Sequence, residues 1–141
     1  MSKFGPIVII EDDREDMELF ESAVRDLHIS NEIKWFAETQ SAYEFLATTE
    51  VSTFLIFCDI NLPGRNGLEF KKAIDENPEL RKKSIPFLFY STAAKQKDVN
   101  EAYMEMVVQG FFQKEHSYGQ MKEMLKVIFD YWSLCKHPNA D

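Results

Sequence analysis

The chain has 141 residues, 45% of them hydrophobic and 28% charged, and a formal net charge of −8. This length and composition predict one globular domain, and the negative charge disfavours nonspecific binding to nucleic acid or to an anionic membrane. The two cysteines show no zinc-ligand spacing, and no apolar run approaches the roughly 18 residues of a membrane helix. Without a signal peptide, a cytoplasmic, reducing location is expected.

The first predicted element is a strand that ends in acidic residues. Residues 7–10, "IVII", form a continuous apolar run, which is typical of a strand buried on both faces. Glu11, Asp12 and Asp13 follow it directly. Such a cluster of like charges is tolerable if the acids spread into water or if a positive charge lies among them. Helical spacing then links the next apolar residues, Met17, Phe20, Val24 and Leu27.

A second strand, a helix and a third strand follow. Residues 32–37, "EIKWFA", alternate in polarity and predict a strand. Ser41 and Glu44 have the spacing of a capping box and predict the start of a helix. Residues 53–59, "TFLIFCD", form another buried strand, which ends at Asp59.

The third predicted helix opens at Asn66 and Glu69 and closes near "ENP", residues 76–78. Residues 85–91, "IPFLFYS", are the next apolar run, and Ser91 ends it. The proline near its start is tolerable there, because a first strand residue does not need its N–H group.

The last two helices enclose a short strand. Asp98 and Glu101 predict the cap of the fourth helix, and "GFFQK" predicts a fifth strand that ends at Lys114. The final helix runs to about Cys135, and residues 136–141 are expected to form a loose tail. The histidines, His28, His116 and His137, are expected at the surface or in the tail.

Five strand–helix alternations predict an α/β fold with a five-stranded parallel sheet and five helices, doubly wound and flavodoxin-like. The expected organisation is a single domain over residues 1–141, with its core at about 4–134 and no output domain. In such a sheet, functional groups collect at the carboxyl ends of the strands.

Five polar side chains should therefore meet at one edge: Glu11, Asp12, Asp59, Ser91 and Lys114. Oxygen ligands of this kind suit Mg²⁺ or Mn²⁺. A carboxylate beside such a cation can attack phosphorus and form an aspartyl phosphate, and a lysine ammonium would offset charge on the transferring group. The Ser91 hydroxyl would hydrogen-bond a phosphoryl oxygen after transfer.

The motifs "VIIEDD", "FLIFCDINLPGRNGLEF", "IPFLFYST" and "GFFQK" resemble, in order and spacing, those of the receiver domain of two-component response regulators. The resemblance implies that Asp59 is the phosphoacceptor and that Glu11 and Asp12 bind Mg²⁺ with Asp59. It also implies a third protein contact to the metal from the backbone carbonyl of Asn61.

Further roles are implied by the same resemblance. Ser91 matches the hydroxyl that moves toward the phosphoryl group, Lys114 the lysine that pairs with the phosphorylated aspartate, and Phe111 the aromatic switch. Glu115 departs from the family pattern, which usually has a cis-proline there, so the geometry of the 114–115 peptide stays open. The C-terminal helix and the junction without proline resemble the single-domain regulators associated with phytochromes and other sensor kinases.

The resemblance implies partners of three kinds. A sensor histidine kinase or phosphotransfer protein would supply the phosphoryl group, and an unidentified downstream protein would read a surface change. The expected output face comprises the fourth helix, the fifth strand and the fifth helix, and a homodimer through it is an open alternative. Apolar and aromatic residues near that face are Tyr103, Met104, Val107 and Val108.

Two other functions compete with this interpretation. A pseudo-receiver would bind partners without phosphorylation, although it would be expected to lose some of the acids, the hydroxyl or the lysine. A phosphohydrolase with an aspartyl nucleophile is less consistent, because Asn61 stands where a second acid would be needed. Asp13, Glu15 and Asp16 are interpreted as a favourable acidic first turn of a helix, Cys58 as a packed apolar residue and Thr92 as structural.

Overall fold

A computed structural model describes residues 2–62, 64–91, 96–105, 108–114 and 117–138. The strands are β1 (Ile7–Ile10), β2 (Ile33–Phe36), β3 (Leu55–Cys58), β4 (Phe87–Ser91) and β5 (Gly110–Gln113). The α-helices are α1 (Arg14–Asp26), α2 (Thr39–Thr48), α3 (Gly67–Glu76), α4 (Pro78–Lys83), α5 (Gln96–Glu105) and α6 (Tyr118–Leu134), and a 3₁₀ turn spans Ser2–Phe4.

The five strands form one parallel sheet in the order β2-β1-β3-β4-β5. The chain moves outward from β1 to β2, then crosses back to β3 and continues in the other direction. The strand order therefore reverses between β1 and β3, and a crevice opens there at the carboxyl ends of the strands. The prediction of a doubly wound parallel sheet is confirmed.

Helices cover both faces of the sheet, which explains the uninterrupted apolar strands. Val8 and Ile10 point into a core closed by α2, α3, α4 and α5. Ile7 and Ile9 point into the opposite core, closed by α1 and α6. All four residues are buried, as the "IVII" run predicts.

Three local predictions are wrong. The described part of the chain has six α-helices, because Asn77 caps an extra short helix, α4, that begins with Pro78. Helix α2 begins at Thr39, before the proposed cap at Ser41, and no side chain caps it. Asp98 lies within the first turn of α5 and does not precede that helix.

His137 contradicts the expectation of an exposed residue in a loose tail. It is 1% exposed, and its Nε2–H group donates to the carbonyl oxygen of Phe54 at 2.7 Å. Its ring also packs against Phe54 and Trp132. His28 is exposed as predicted, whereas His116 lies outside the described residues. Among the described helices, none is both long and apolar enough to cross a bilayer.

Candidate functional site

Three carboxylates meet in the crevice between β1 and β3. Glu11 and Asp12 follow β1, and Asp59 follows β3. Each offers one oxygen, and these oxygens lie within 4.8 Å of one another. Glu11 and Asp59 are only 3% and 7% exposed, whereas Asp12 is exposed. The predicted acidic cluster is therefore present, with two acids inside the protein and one at the solvent.

Lys114 supplies the positive charge that such a cluster needs. Its Nζ atom donates to a carboxylate oxygen of Glu11 and, at 3.1 Å each, to the carboxylates of Asp59 and Asp16. The ammonium also lies 5.7 Å from the ring centre of Tyr90. The backbone N–H of Lys114 donates to the carbonyl of Ser91 at 2.9 Å, which fixes β5 beside β4 at this end.

Burial and charge shift two pKa values in the cluster. Burial raises the pKa of Glu11 to about 7, although the hydrogen bond and the charge of Lys114 act in the opposite direction. Burial alone would lower the pKa of Lys114, but the hydrogen bond to Glu11 and the charge of Asp59 outweigh it and raise that pKa. Lys114 is therefore a permanent cation among the acids.

Ser91 is the last residue of β4, at the same edge of the sheet as Asp59 and Lys114. Its side chain is completely buried at the end of β4, and its Oγ atom has no hydrogen-bond partner among the described residues. A buried hydroxyl without a partner costs stability, and a functional role is one reason for a protein to retain it. This observation fits the predicted role of Ser91 in binding a ligand oxygen.

The loop after Asp59 is tied closely to the start of α3. The backbone N–H of Asn61 donates to Asp59 Oδ1 at 3.3 Å, and Gly67 N–H donates to the Ile60 carbonyl at 2.9 Å. A Cβ atom at residue 67 would overlap the carbonyl oxygen of Asp59 and lie 2.9 Å from Ile60 Cα. The phosphoacceptor candidate thus lies on a backbone that only glycine at position 67 allows.

Cys58, the residue before Asp59, is fully buried beside the site. Burial raises the pKa of its thiol, and the charges of Asp59 and Glu11 raise it further. The thiol is therefore unreactive, which agrees with its interpretation as a packed apolar residue.

Phe111 lies on β5 opposite Phe89, and the two ring centres are 5.6 Å apart. The ring of Phe111 is half-buried, between core and surface. Phe89 lies two residues before Ser91 on β4, so Phe111 and Ser91 are on the same face of the sheet. On the expected output face, Tyr103 and Met104 are exposed and Val108 is half-buried. Val107, Thr92 and Glu115 lie outside the described residues.

Sequence reasoning missed two residues of the site. Asp16 was assigned only to the acidic first turn of α1, yet it contacts Lys114, 98 positions away in the sequence. Trp35 Nε1–H donates to the backbone carbonyl of Glu11 at 2.6 Å. The sequence carried no signal for this contact, because it depends on the register that pairs Trp35 with Ile9 across β2 and β1. Glu15 and Asp16 lie in the first turn of α1 as predicted, whereas Asp13 precedes that turn as the N-cap, and its carboxylate accepts from the N–H groups of Glu15 and Asp16.

The geometry supports two kinds of chemistry. Clustered carboxylate oxygens can hold a hard divalent cation. A buried carboxylate next to a lysine ammonium can act as a nucleophile toward an anionic group, because the ammonium offsets the repulsion between them.

Comparison with known proteins extends this result. The sequence model of the response regulator receiver domain matches residues 7–126. Response regulator Rcp1 of Synechocystis sp. is 26% identical over 131 residues, which cover 89% of this chain and 87% of Rcp1.

Solved structures share the fold over nearly the whole chain. The phosphorylated cyanobacterial phytochrome response regulator RcpA has a TM-score of 0.82 at 23% identity, and the match covers 94% of this chain and 97% of RcpA. The Mn²⁺-bound form of Rcp1 has a TM-score of 0.80 at 25% identity, and the match covers 94% of this chain and 98% of Rcp1.

Proposed function

Because the chain belongs to the response regulator receiver domain family, we propose that Asp59 accepts a phosphoryl group and that this domain signals in a two-component phosphorelay. The observation that carries the proposal is the position of Asp59. Its carboxylate is buried, lies within 4.8 Å of the oxygens of Glu11 and Asp12, and receives a hydrogen bond from Lys114. Glu11 is also buried, belongs to the same cluster and accepts a hydrogen bond from Lys114, so the choice of Asp59 over Glu11 rests on its match to the phosphoacceptor position of the family.

The proposed step is a displacement at phosphorus. A carboxylate oxygen of Asp59 forms the new bond to phosphorus, while the bond from phosphorus to a donor histidine nitrogen breaks and its electron pair stays on the imidazole. Lys114 lies within reach of the phosphoryl oxygens through its bond to Asp59. Slow hydrolysis of the aspartyl phosphate would end the signal, so the domain acts as a signalling phosphoacceptor that assists its own phosphorylation.

Glu11, Asp12 and Asp59 fit a hard cation because they offer only oxygen and lie close enough to share one ion. We assign these three side chains, with the backbone carbonyl of Asn61, as ligands for Mg²⁺ or Mn²⁺. When bound, the cation offsets charge on the transferring phosphoryl oxygens. Rcp1 has a Mn²⁺-bound form, which supports this assignment.

The signal would leave the site through Ser91 and Phe111. The unpartnered Ser91 hydroxyl moves toward a phosphoryl oxygen, and the space it leaves allows Phe111 to turn inward. The structure has the additional helix α4, so the predicted fourth and fifth helices are α5 and α6. The output face therefore consists of α5, β5 and α6. Ser91 and Phe111 would thus form a switch with two states, and the charge of the phosphoryl group would favour one of them.

We assign a sensor histidine kinase or a phosphotransfer protein as the donor and an unidentified protein, or a second copy of the chain, as the receiver of the signal. RcpA is a phytochrome response regulator, so a phytochrome-linked kinase is a reasonable first donor to test. Both cysteines are free thiols, in keeping with a reducing cytoplasm.

Intact-mass spectrometry after incubation with acetyl phosphate tests the proposal. We expect a gain of one phosphoryl group in the wild type with Mg²⁺, and none without Mg²⁺ or in Asp59→Asn. Asp13→Asn is the matched control, because it removes a neighbouring charge and keeps a helix cap. Labelling of Asp59→Asn at the wild-type rate would disprove the assignment, and no labelling under any condition would favour a phosphorylation-independent adaptor.

A further inference from the structure

Lys114 has three carboxylate partners, and one of them differs in kind from the others. Glu11 and Asp59 belong to the group of oxygens that can share a cation. Asp16 does not belong to that group, although its Oδ2 atom lies 3.1 Å from Lys114 Nζ. Asp16 is therefore the partner that Lys114 does not share with the proposed metal site.

This difference matters during phosphorylation. In the proposed function, the oxygens of Glu11 serve the cation and those of Asp59 take up the phosphoryl group. The cation and the phosphoryl group then compete with the Lys114 ammonium for the oxygens of both buried carboxylates. Neither group competes for the oxygen of Asp16, so the contact with Asp16 can keep the lysine in place throughout the step.

The backbone of Asp16 is well fixed for this purpose. It lies in the first turn of α1, and its N–H group donates to the capping carboxylate of Asp13 at 3.2 Å. Its side chain is 39% exposed, against 8% for Lys114. Asp16 is thus the most exposed of the three carboxylates that contact the ammonium.

We infer that Asp16 is a positioning residue, which holds Lys114 toward Asp59 while Glu11 and Asp59 are engaged by the cation and the phosphoryl group. This inference rests on the proposed function and adds a residue to its machinery. Asp16 acts through Lys114 and does not touch the reacting atoms.

The test compares maximal phosphorylation rates with acetyl phosphate, each at a Mg²⁺ concentration shown to saturate that variant. Trp35, which bonds to the Glu11 carbonyl, provides the fluorescence signal for the Mg²⁺ titrations. Asp16→Asn should lower the maximal rate by about threefold to tenfold, as expected for a charge-assisted contact that is partly exposed. Asp16→Glu should restore part of the rate.

Two controls separate positioning from a general effect of charge. Glu15→Gln removes the neighbouring charge of the same turn, for which the structure records no contact with Lys114, and should keep the wild-type rate. In a Lys114→Ala background, Asp16→Asn should have no further effect, because its influence passes through the lysine. Equal rates for Asp16→Asn and Glu15→Gln, or an undiminished effect without Lys114, would overturn the inference.

A second measurement does not depend on phosphorylation. The ¹H–¹⁵N signal of the Lys114 ammonium, recorded with Mg²⁺ and assigned with Lys114→Arg, should be retained in wild type and Glu15→Gln and broadened in Asp16→Asn. If the wild type is not labelled on Asp59, the proposed function fails and this signal still decides whether Asp16 holds the lysine. An unchanged signal in Asp16→Asn would refute the inference alone.

Discussion

At the residue scale, His137 lies buried near the amino ends of the strands, against Phe54 and Trp132. Because a carbonyl oxygen can only accept, the bond to Phe54 requires a proton on Nε2. Burial lowers the pKa of His137, the bond to Phe54 opposes this, and the charge of Lys3 lowers it further. The folded protein therefore prefers the neutral imidazole.

This preference predicts a pH-dependent contribution to stability. The folded pKa lies below the ordinary value of about 6.5, so the contribution is present above that pH and is lost as the pH falls through the folded pKa. The free energy of unfolding of the wild type should therefore fall more steeply between pH 7.5 and 5 than that of His137→Gln. Urea unfolding across this range provides the measurement.

His28→Asn is the control for this prediction, because His28 is exposed and asparagine tolerates its positive φ of 62°. It should follow the wild-type slope. If His137→Gln also follows that slope, protonation of the buried imidazole does not limit stability.

The residues with specific roles in the site or in stability divide into those that the sequence could reveal and those that it could not. Glu11, Asp59 and Lys114 could be predicted because each directly follows a buried strand, and parallel strands bring their ends together. Asp16 and His137 could not, because each is identified by a contact distant in sequence. A helical acid and a histidine near the terminus have the same local pattern whether or not they have such a partner.

At the element scale, the start of α3 shows how a helix terminus positions the phosphoacceptor candidate. Asn66 and Glu69 form the capping box that their spacing predicts. Gly67 begins the helix in close contact with the backbone of Asp59 and Ile60. The neighbouring atoms belong to the backbone and cannot rotate away, so a side chain at residue 67 would displace the loop that carries Asp59.

Gly67→Ala should therefore lower the free energy of unfolding by about 1–3 kcal/mol, the usual cost of overpacking, despite the better helix propensity of alanine. Chemical denaturation provides the measurement. Gly119→Ala in α6 is the matched control, since no atom lies within 4 Å of its added Cβ. It should leave stability unchanged or raise it by up to about 1 kcal/mol. Equal effects of the two substitutions would show that the loop after Asp59 rearranges to accept the added methyl group.

Helix α4 shows why some element boundaries were not predicted. Asn77 and Pro78 form a strong start signal, but the helix has only six residues and one buried side chain, Leu80. So short a segment shows no apolar period. No side chain caps α2 at its first residue, Thr39. The capping pattern at Ser41 was therefore the only local indication of a helix start, and it lies inside the helix.

At the scale of the whole molecule, the sheet topology concentrates negative charge at one edge. Glu11, Asp16 and Asp59 contact Lys114, and Asp12 lies beside Glu11 and Asp59, in a chain whose net charge is already −8. The strand order forces this arrangement, because the reversal between β1 and β3 places the ends of both strands in the same crevice. The fold therefore bears electrostatic repulsion that a bound cation would relieve.

This repulsion predicts that Mg²⁺ stabilises the whole domain. A cation that binds the folded chain and not the unfolded one raises the free energy of unfolding, by about 2.7 kcal/mol at a hundred times Kd. Asp12→Asn should gain less at the same Mg²⁺ concentration, because it removes the exposed ligand, whereas Asp13→Asn should gain as much as the wild type. Urea unfolding with Mg²⁺, and with NaCl at equal ionic strength, separates binding from screening. If NaCl gives the same gain, or Asp12→Asn gains as much as Asp13→Asn, the acids relieve their repulsion without a specific cation, and the metal assignment fails with the prediction.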